Sequence, residues 1–373
     1  MSLVNAAIKV SDSKFMAQAL ALATRGFYSA RPNPRVGCVV TNDGQVVGEG
    51  FHYRAGEPHA EVMALRAAGE NARGATVYVS LEPCSHKGRT PPCTDALIEA
   101  GVRRVVYAVS DPNPLMTDNS ETQLRAAGIE VFGGLMTKSA TELNRGFMRR
   151  MSYGVPFVTL KIGMTLDAKV ALGSGASQWI TSEAARADVQ RLRAAAGAIV
   201  TGVGTVVADD PALTVRDDRF DMAGLQPLRV ILDRNLRTPP SSKIFREVGD
   251  TLLFTENEGS RLAEALIAQG AVIESCPVLA SGLDLGAVLR RLAEREVNDV
   301  LVEAGPGVIG AFVQQGLFNE IVIYIAPKLF GNSAIDVVSL PELQNIDSAT
   351  QLSFANVRAV GSDLRLTLTP SVG

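Results

Sequence analysis

Histidine, tryptophan and cysteine are scarce in this chain of 373 residues, which has three His, one Trp and four Cys. Four Cys are too few to staple a chain of this length, which excludes a disulfide scaffold. They point to metal or catalytic duty in a reducing, cytoplasmic compartment. Long apolar runs are absent too. The longest, such as Ile321–Ala326, are strand-sized, against the roughly 18 residues that cross a bilayer, so no membrane partner is expected. Met1-Ser2-Leu3-Val4 lacks a basic region followed by an apolar core, so no secretory signal is expected. No charge excess exists. The net charge is −3, which gives no ground for a nucleic-acid partner. Internal repeats and low-complexity tracts are missing. What remains is 46% hydrophobic and 20% charged, a composition that excludes wholesale disorder. The length is a prior for two domains, possibly three.

The scarce residues are unevenly placed. His52, His59 and His86 all fall in the first quarter, as do Cys38, Cys84 and Cys93, leaving only Cys276 outside. The elements around them alternate. Asp12 or Ser13 is placed to cap a first helix that Gly26 ends. Val36–Val40 reads as a strand, Asn42-Asp43-Gly44 as a turn, and Val46-Val47 as the return. A helix is expected from His59 to about Ala68, then a strand over Ala75–Leu81. Thr94–Ala100 reads as a helix, Val102–Ser110 as a strand, Gln123–Ala127 as a helix and Ile129–Phe132 as a strand. The pattern resets between Asn144 and Pro156, where Arg145, Arg149, Arg150, Gly154 and Pro156 look like a junction. Beyond it, strands are expected at 157–164, 198–203, 228–232, 251–255, 300–303, 321–326 and 364–368. Helices fit 183–195, 261–269, 285–296 and 308–315. Alternation of this kind predicts an α/β fold, with domains over 1–145 and 146–373.

His59-Ala60-Glu61 opens a helix, Pro83-Cys84 follows a strand, and Cys93 precedes the next helix. One imidazole and two thiolates leave the fourth tetrahedral position for water, as in a catalytic zinc site. Zinc lowers the pKa of water to about 7. Glu61, two residues after the ligand, is suited to carry the proton to a leaving amine. Zinc nucleobase deaminases use an H-x-E…P-C-x-x-C pattern. Here eight residues, not two, separate Cys84 from Cys93. The bland alternative is that His59 caps a helix and the two Cys are buried small hydrophobes. Cys38 reads as strand packing.

The segments Cys84–Cys93 (CSHKGRTPPC), Pro32–Gly37 (PNPRVG), His59–Glu61 and Asp111–Pro114 (DPNP) resemble the bifunctional riboflavin-biosynthesis deaminase–reductases. The resemblance implies an N-terminal cytidine-deaminase-like three-layer domain. That domain hydrolyses the 2-amino group of a phosphoribosylated diaminopyrimidinone. His59, Cys84 and Cys93 would hold zinc, Glu61 would be catalytic, and Asn33, His52, His86, Arg89, Asp111 and Asn113 would contact the substrate. Arg89 suits a phosphate. The stretch Leu115–Ser120 departs from the glycine-bearing loop common in the family, so no contact is carried into it.

The second half resembles the same family's reductase, through Lys161–Asp167, Ser177–Thr181, Gly202–Thr205, Asp209–Arg216 and Glu303–Gly310. Residues 305–310 match G-x-G-x-x-G, a backbone suited to phosphates at a helix N-terminus. The acid of a Rossmann domain is missing at a strand end about 20 residues on, so a phosphate-cradling loop is kept and that fold rejected. The resemblance implies a dihydrofolate-reductase-like fold and NADPH. Nucleotide contacts are expected from Gly163, Trp179, Thr205, Asp209 and Gly305, Pro306, Gly307, Val308, Ile309, Gly310 and Ala311. Substrate contacts are expected from Lys161, Ser177, Arg193, Leu213, Arg216 and Glu303. Arg193 and Arg216 suit a phosphate, while Trp179 alone reads equally as core. Ala168 stands where the family commonly has Gly. Positioning and cofactor chemistry carry a hydride transfer, so no nucleophile is expected. Two other readings stay open: a different zinc nucleobase deaminase with an accessory C-terminal domain, and a scaffold without activity. The expected partner is a small phosphorylated pyrimidine, with assembly as a homo-oligomer.

Overall fold

The computed structural model describes residues 10–86, 91–114, 116, 120–280 and 282–371. They form two compact units, Met1–Gly154 and Val155–Gly373.

In chain order the first unit holds α1 (Val10–Ala23), β1 (Gly37–Asn42), β2 (Gln45–Phe51), α2 (Ala60–Ala68), β3 (Thr76–Val79) and α3 (Cys93–Glu99). After these come β4 (Arg104–Tyr107), α4 (Ser120–Ala126), β5 (Glu130–Phe132), α5 (Thr137–Leu143) and α6 (Arg145–Tyr153). The five strands lie in the order β2-β1-β3-β4-β5. The β1–β2 hairpin and the β1–β3 pair are antiparallel, and β3–β4 and β4–β5 are parallel. Fully buried Val39, Val40, Val77, Val105 and Val106 fill the sheet; β-branched residues suit its pleated, covered faces. Two glycines let α2 press onto the hairpin. A Cβ at Gly48 would lie 2.2 Å from Ala64 O, and one at Gly50 2.4 Å from Ala60 O.

Two expectations are corrected here. Asp12 is not a helix cap. It is fully buried, accepts a bond from Tyr78 Oη at 2.7 Å and pairs bidentately with Arg104 at 2.8–2.9 Å. The junction expected near residue 146 lies instead at Gly154–Val155, because α6 buries Phe147 in the first core, with Met148 and Met151 against it.

The second unit runs β6 (Phe157–Thr165), β7 (Lys169–Ala171), α7 (Glu183–Ala195), β8 (Ala198–Gly202), α8 (Val203–Asp209) and β9 (Leu228–Leu232). It continues with β10 (Thr251–Thr255), α9 (Arg261–Ile267), β11 (Ala271–Ser275), β12 (Val278–Leu279), β13 (Gly282–Leu283) and α10 (Leu285–Glu294). Last come β14 (Asp299–Val302), α11 (Pro306–Gln314), β15 (Glu320–Ala326), β16 (Ile335–Asp336), β17 (Leu352–Val360) and β18 (Asp363–Pro370). Nine strands form one mixed sheet, β11-β10-β9-β8-β14-β6-β15-β18-β17. The seven from β11 to β15 are parallel, and β18 and β17 add antiparallel. Neighbouring positions on the central strands serve opposite faces. Val200, Val230, Leu252 and Val300 enter one core; Ile199, Ile231, Leu253 and Leu301 enter another. A sheet covered on both sides reads as near-continuous apolar strands, which is why these were visible in the sequence.

Candidate active sites

His59 precedes α2 as its N-cap, in extended conformation and with no side-chain cap bond. Its ring is therefore left to face the loop after β3. His59 Nδ1 lies 3.2 Å from Cys93 Sγ and 3.5 Å from Cys84 Sγ. Cys93 is the first residue of α3, and its backbone N–H donates to Cys84 Sγ at 3.3 Å. The ligand atoms of all three residues fall within 4.8 Å of one another. Donor types and spacing fit one zinc ion with a position left for water. Hydrogen bonds from Cys93 and His59 pull the Cys84 thiol well down despite its burial, the thiolate character that metal binding requires. Cys38 is fully buried in β1 opposite Val79 and stands outside this cluster.

Glu61 sits in the first turn of α2, 3% exposed. Burial, then the charge of Cys84, pushes its carboxyl up to about 7. An acid at that value suits proton transfer in both directions at neutral pH. His52 is buried and held neutral, mainly by desolvation. Asn33 Nδ2 donates to its Nε2 at 3.0 Å, so Nδ1 carries the proton and donates to Pro58 O at 3.2 Å. The His52 ring stands edge-on to His59 at 5.2 Å. His86 Nδ1 lies 3.3 Å from Met116 Sδ. Burial raises the Asp111 carboxyl to about 6, and Asp111 accepts the Asn113 N–H at 2.9 Å. The Asn33–His52 pair thus stands beside His59, and Asp111 lies within reach of the charges of Cys84 and His86. Arg89 lies outside the described residues, as does most of Leu115–Ser120. Sequence reasoning missed Glu82, which accepts the Asp111 N–H at 3.2 Å and the Ser120 hydroxyl at 2.6 Å. Only its place in the Glu82-Pro83-Cys84 run hinted at it.

In the second unit, Glu303 follows β14 and gathers two cations. Arg193 from α7 grips it with Nε at 2.6 Å and Nη2 at 3.1 Å, and Lys161 Nζ of β6 stands 3.4 Å away. This corrects the phosphate reading of Arg193, whose fork is committed to Glu303 and whose Nη1 donates to Thr214 O. Leu213, at φ +49° and 3% exposed, has its side chain in the core, so only its backbone remains for a ligand. Arg216 is exposed, its N–H tied to Gln190 Oε1. Ser177 Oγ donates to Asp209 at 2.8 Å. Trp179 is 63% exposed, which removes the core reading, and Arg186 stacks on it at 4.5 Å. Gly163 lies under Thr181.

Gly305 caps α11 and Pro306 opens it. A Cβ at Gly305 would meet only Thr205 Oγ1, at 3.9 Å, and one at Gly307 nothing within 4 Å. This bare first turn fits the diphosphate of a nucleotide such as NADPH. The expected cradle is shorter than Gly305–Ala311. The Ile309 N–H donates to Gly305 O, the Ile309 side chain is buried, and a Cβ at Gly310 would strike Ser339 O at 1.9 Å. Gly310 therefore serves packing.

Two family models match the chain, one in each unit. The cytidine and deoxycytidylate deaminase zinc-binding region matches residues 9–109, and the RibD C-terminal domain matches residues 156–366. The chain belongs to the RibD family. It is 47% identical to the riboflavin biosynthesis protein RibD of Escherichia coli (strain K12) over 368 residues, covering 96% of this chain and 99% of that one. The Aquifex aeolicus RibD is 43% identical over 360 residues, covering 96% and 98%. Among solved structures, Acinetobacter baumannii RibD superposes with a TM-score of 0.91 at 43% identity, covering 97% of this chain and 99% of that one. A Thermotoga maritima diaminohydroxyphosphoribosylaminopyrimidine deaminase/5-amino-6-(5-phosphoribosylamino)uracil reductase gives 0.84 at 35%, covering 97% and 99%. This RibD-family chain is therefore a bifunctional enzyme of riboflavin biosynthesis, a zinc-dependent deaminase joined to an NADPH-dependent reductase. Among its described residues no helix is long and apolar enough to cross a membrane.

Proposed function

We propose that the first unit deaminates 2,5-diamino-6-(5-phosphoribosylamino)pyrimidin-4(3H)-one. The second unit then reduces the ribosyl group of 5-amino-6-(5-phosphoribosylamino)uracil to ribityl. The observation that carries this reading is the His59, Cys84 and Cys93 cluster with buried Glu61 beside it. The name of the Thermotoga maritima relative supports the substrate.

His59, Cys84 and Cys93 would hold the zinc, which would supply Lewis acidity that lowers the pKa of water to about 7. Glu61 takes a proton from the attacking water and gives it to the departing 2-amino nitrogen. C2–O forms, C2–N breaks and ammonia leaves. Asn33 reads the pyrimidine edge, and neutral His52, whose two ring nitrogens are taken by Asn33 and Pro58 O, packs beside it. His86, Asp111 and Asn113 close the other side, and Arg89 takes the phosphate.

In the second unit the open first turn of α11, with Thr205, holds the nucleotide diphosphate. Asp209, Gly163 and Trp179 contact its remainder. Bound there, NADPH would supply the hydride that C1′ takes as the C1′–O4′ ring bond breaks and O4′ gains a proton from water. Lys161 and Glu303 position the sugar, and Arg216 meets its phosphate. Arg193 acts through Glu303 by fixing that carboxylate. That none of the four Cys is in a disulfide supports a cytoplasmic location. Exposed Phe354 and Val357 on edge strand β17 support a homo-oligomer, which sedimentation tests.

Metal analysis with a two-step assay tests the function. The expected result is one zinc per chain, ammonia release without NADPH, and NADPH oxidation only after it. A zinc-free protein that leaves the diaminopyrimidine phosphate unchanged, or one that releases ammonia from cytidine instead, would overturn it.

A further inference from the structure

Asn144 is the residue between α5 and α6, 1% exposed and remote in sequence from every residue assigned to the deaminase site. Its side-chain amide meets one stretch of backbone at two points. Asn144 Oδ1 accepts the Arg35 N–H at 2.7 Å, and Asn144 Nδ2 donates to Arg35 O at 2.9 Å. The Arg35 side chain doubles the attachment. Its Nη1 donates to Leu143 O at 2.8 Å, its Nε to Phe27 O at 3.0 Å, and its guanidinium lies 4.1 Å over the Phe27 ring. Arg35 stands two residues after Asn33 and one before Val36, whose carbonyl accepts the His52 N–H at 2.9 Å. Asn33 in turn bonds the His52 ring. A two-point bond from a buried amide to a peptide fixes both position and rotation of that peptide.

We propose that Asn144 is a positioning residue of the deaminase. By clamping the backbone of Arg35 it sets where Asn33 and His52 meet the pyrimidine. The proposal rests on the functional reading above, in which Asn33 and His52 contact the substrate. Asn144 touches neither substrate nor metal ligands, so its loss changes substrate binding while zinc, Glu61 and the second unit stay as they are. A residue that only held the fold together would instead lower zinc content and turnover together.

Three variants test this on the full-length zinc enzyme with 2,5-diamino-6-(5-phosphoribosylamino)pyrimidin-4(3H)-one. Asn144→Ala removes both bonds, Asn144→Leu removes both but keeps the volume, and Asn144→Asp keeps the acceptor for the Arg35 N–H. The expected result is a KM about tenfold higher for Asn144→Ala and Asn144→Leu and an intermediate KM for Asn144→Asp. Expected kcat values stay within about threefold. Zinc content and the kinetics of 5-amino-6-(5-phosphoribosylamino)uracil reduction stay at wild type. KM values unchanged in Asn144→Ala and Asn144→Leu would overturn the proposal. So would a fall in kcat alone, or zinc loss in all three variants. Wild-type enzyme run alongside separates the two readings. Turnover by wild type with unaffected variants removes only the role of Asn144, whereas no wild-type turnover removes the functional reading itself.

Discussion

Glu303→Gln probes the electrostatic centre of the reductase unit. Glu303 is 8% exposed, and burial alone would push its carboxyl up. Arg193 and Lys161 outweigh burial and hold it at about 2. Against an ordinary glutamate value of about 4.3, that gap is worth about 3 kcal/mol in favour of the ionised form. The variant keeps the shape and removes the charge, leaving the Arg193 guanidinium buried without its counter-ion. Breaking a buried pair from one side costs about 3–5 kcal/mol. The lower figure is the better guide here, because Lys161 is partly exposed and solvent takes up some of its charge. The assay is urea unfolding followed by fluorescence of Trp179, the single Trp, which reports on the second unit alone. With an m-value of about 2 kcal/mol/M, the midpoint falls by about 1.5 M. The sign with pH is fixed. The native value is depressed, so the stabilisation is fully present above about pH 4.3 and fades as pH falls towards 2. Wild type and variant therefore converge in acid. A loss below about 1 kcal/mol at neutral pH, or a gap that widens in acid, would refute the reasoning. Ammonia release, which belongs to the other unit, serves as the control.

Glu61→Gln keeps the size of the side chain and loses the proton carrier. Deamination should fall about 10²–10⁴-fold, with zinc content and NADPH oxidation retained; ammonia release at the wild-type rate would remove Glu61 from the mechanism. Asp12→Ala removes the bidentate carboxylate of buried Arg104 and should destabilise that unit by about 3 kcal/mol, read as an earlier thermal loss of deaminase than of reductase activity. Two glycines of α11 should separate cleanly. Gly307→Ala adds a methyl where nothing lies within 4 Å, so it should raise the KM for NADPH about tenfold without loss of stability. Gly310→Ala drives a Cβ towards Ser339 O and should destabilise the unit by about 1–3 kcal/mol, measured by the same urea titration.

What the sequence determined by itself was whatever is local or compositional. Strands β9 and β10 and helix α7 have the expected limits, because their side chains alone state which faces are covered. Edge strands β11 and β17 escaped notice. β17 is exposed along most of its length, so burial imposes no apolar pattern on it. The His59, Cys84 and Cys93 cluster, which could hold a metal ion, was legible because His59 caps α2 and Cys93 opens α3, with Cys84 in the loop between β3 and α3. Partners distant in sequence were not legible. Asp12 read as a cap, since nothing near it announces Arg104 92 positions away. Arg193 read as a phosphate ligand, since only packing of α7 beside β14 delivers it to Glu303. Asn144 carried no signal, its bond to Arg35 spanning 109 positions. A buried charge or amide finds its partner through the whole fold, and the free energy of that choice is set by desolvation, which only the tertiary structure creates.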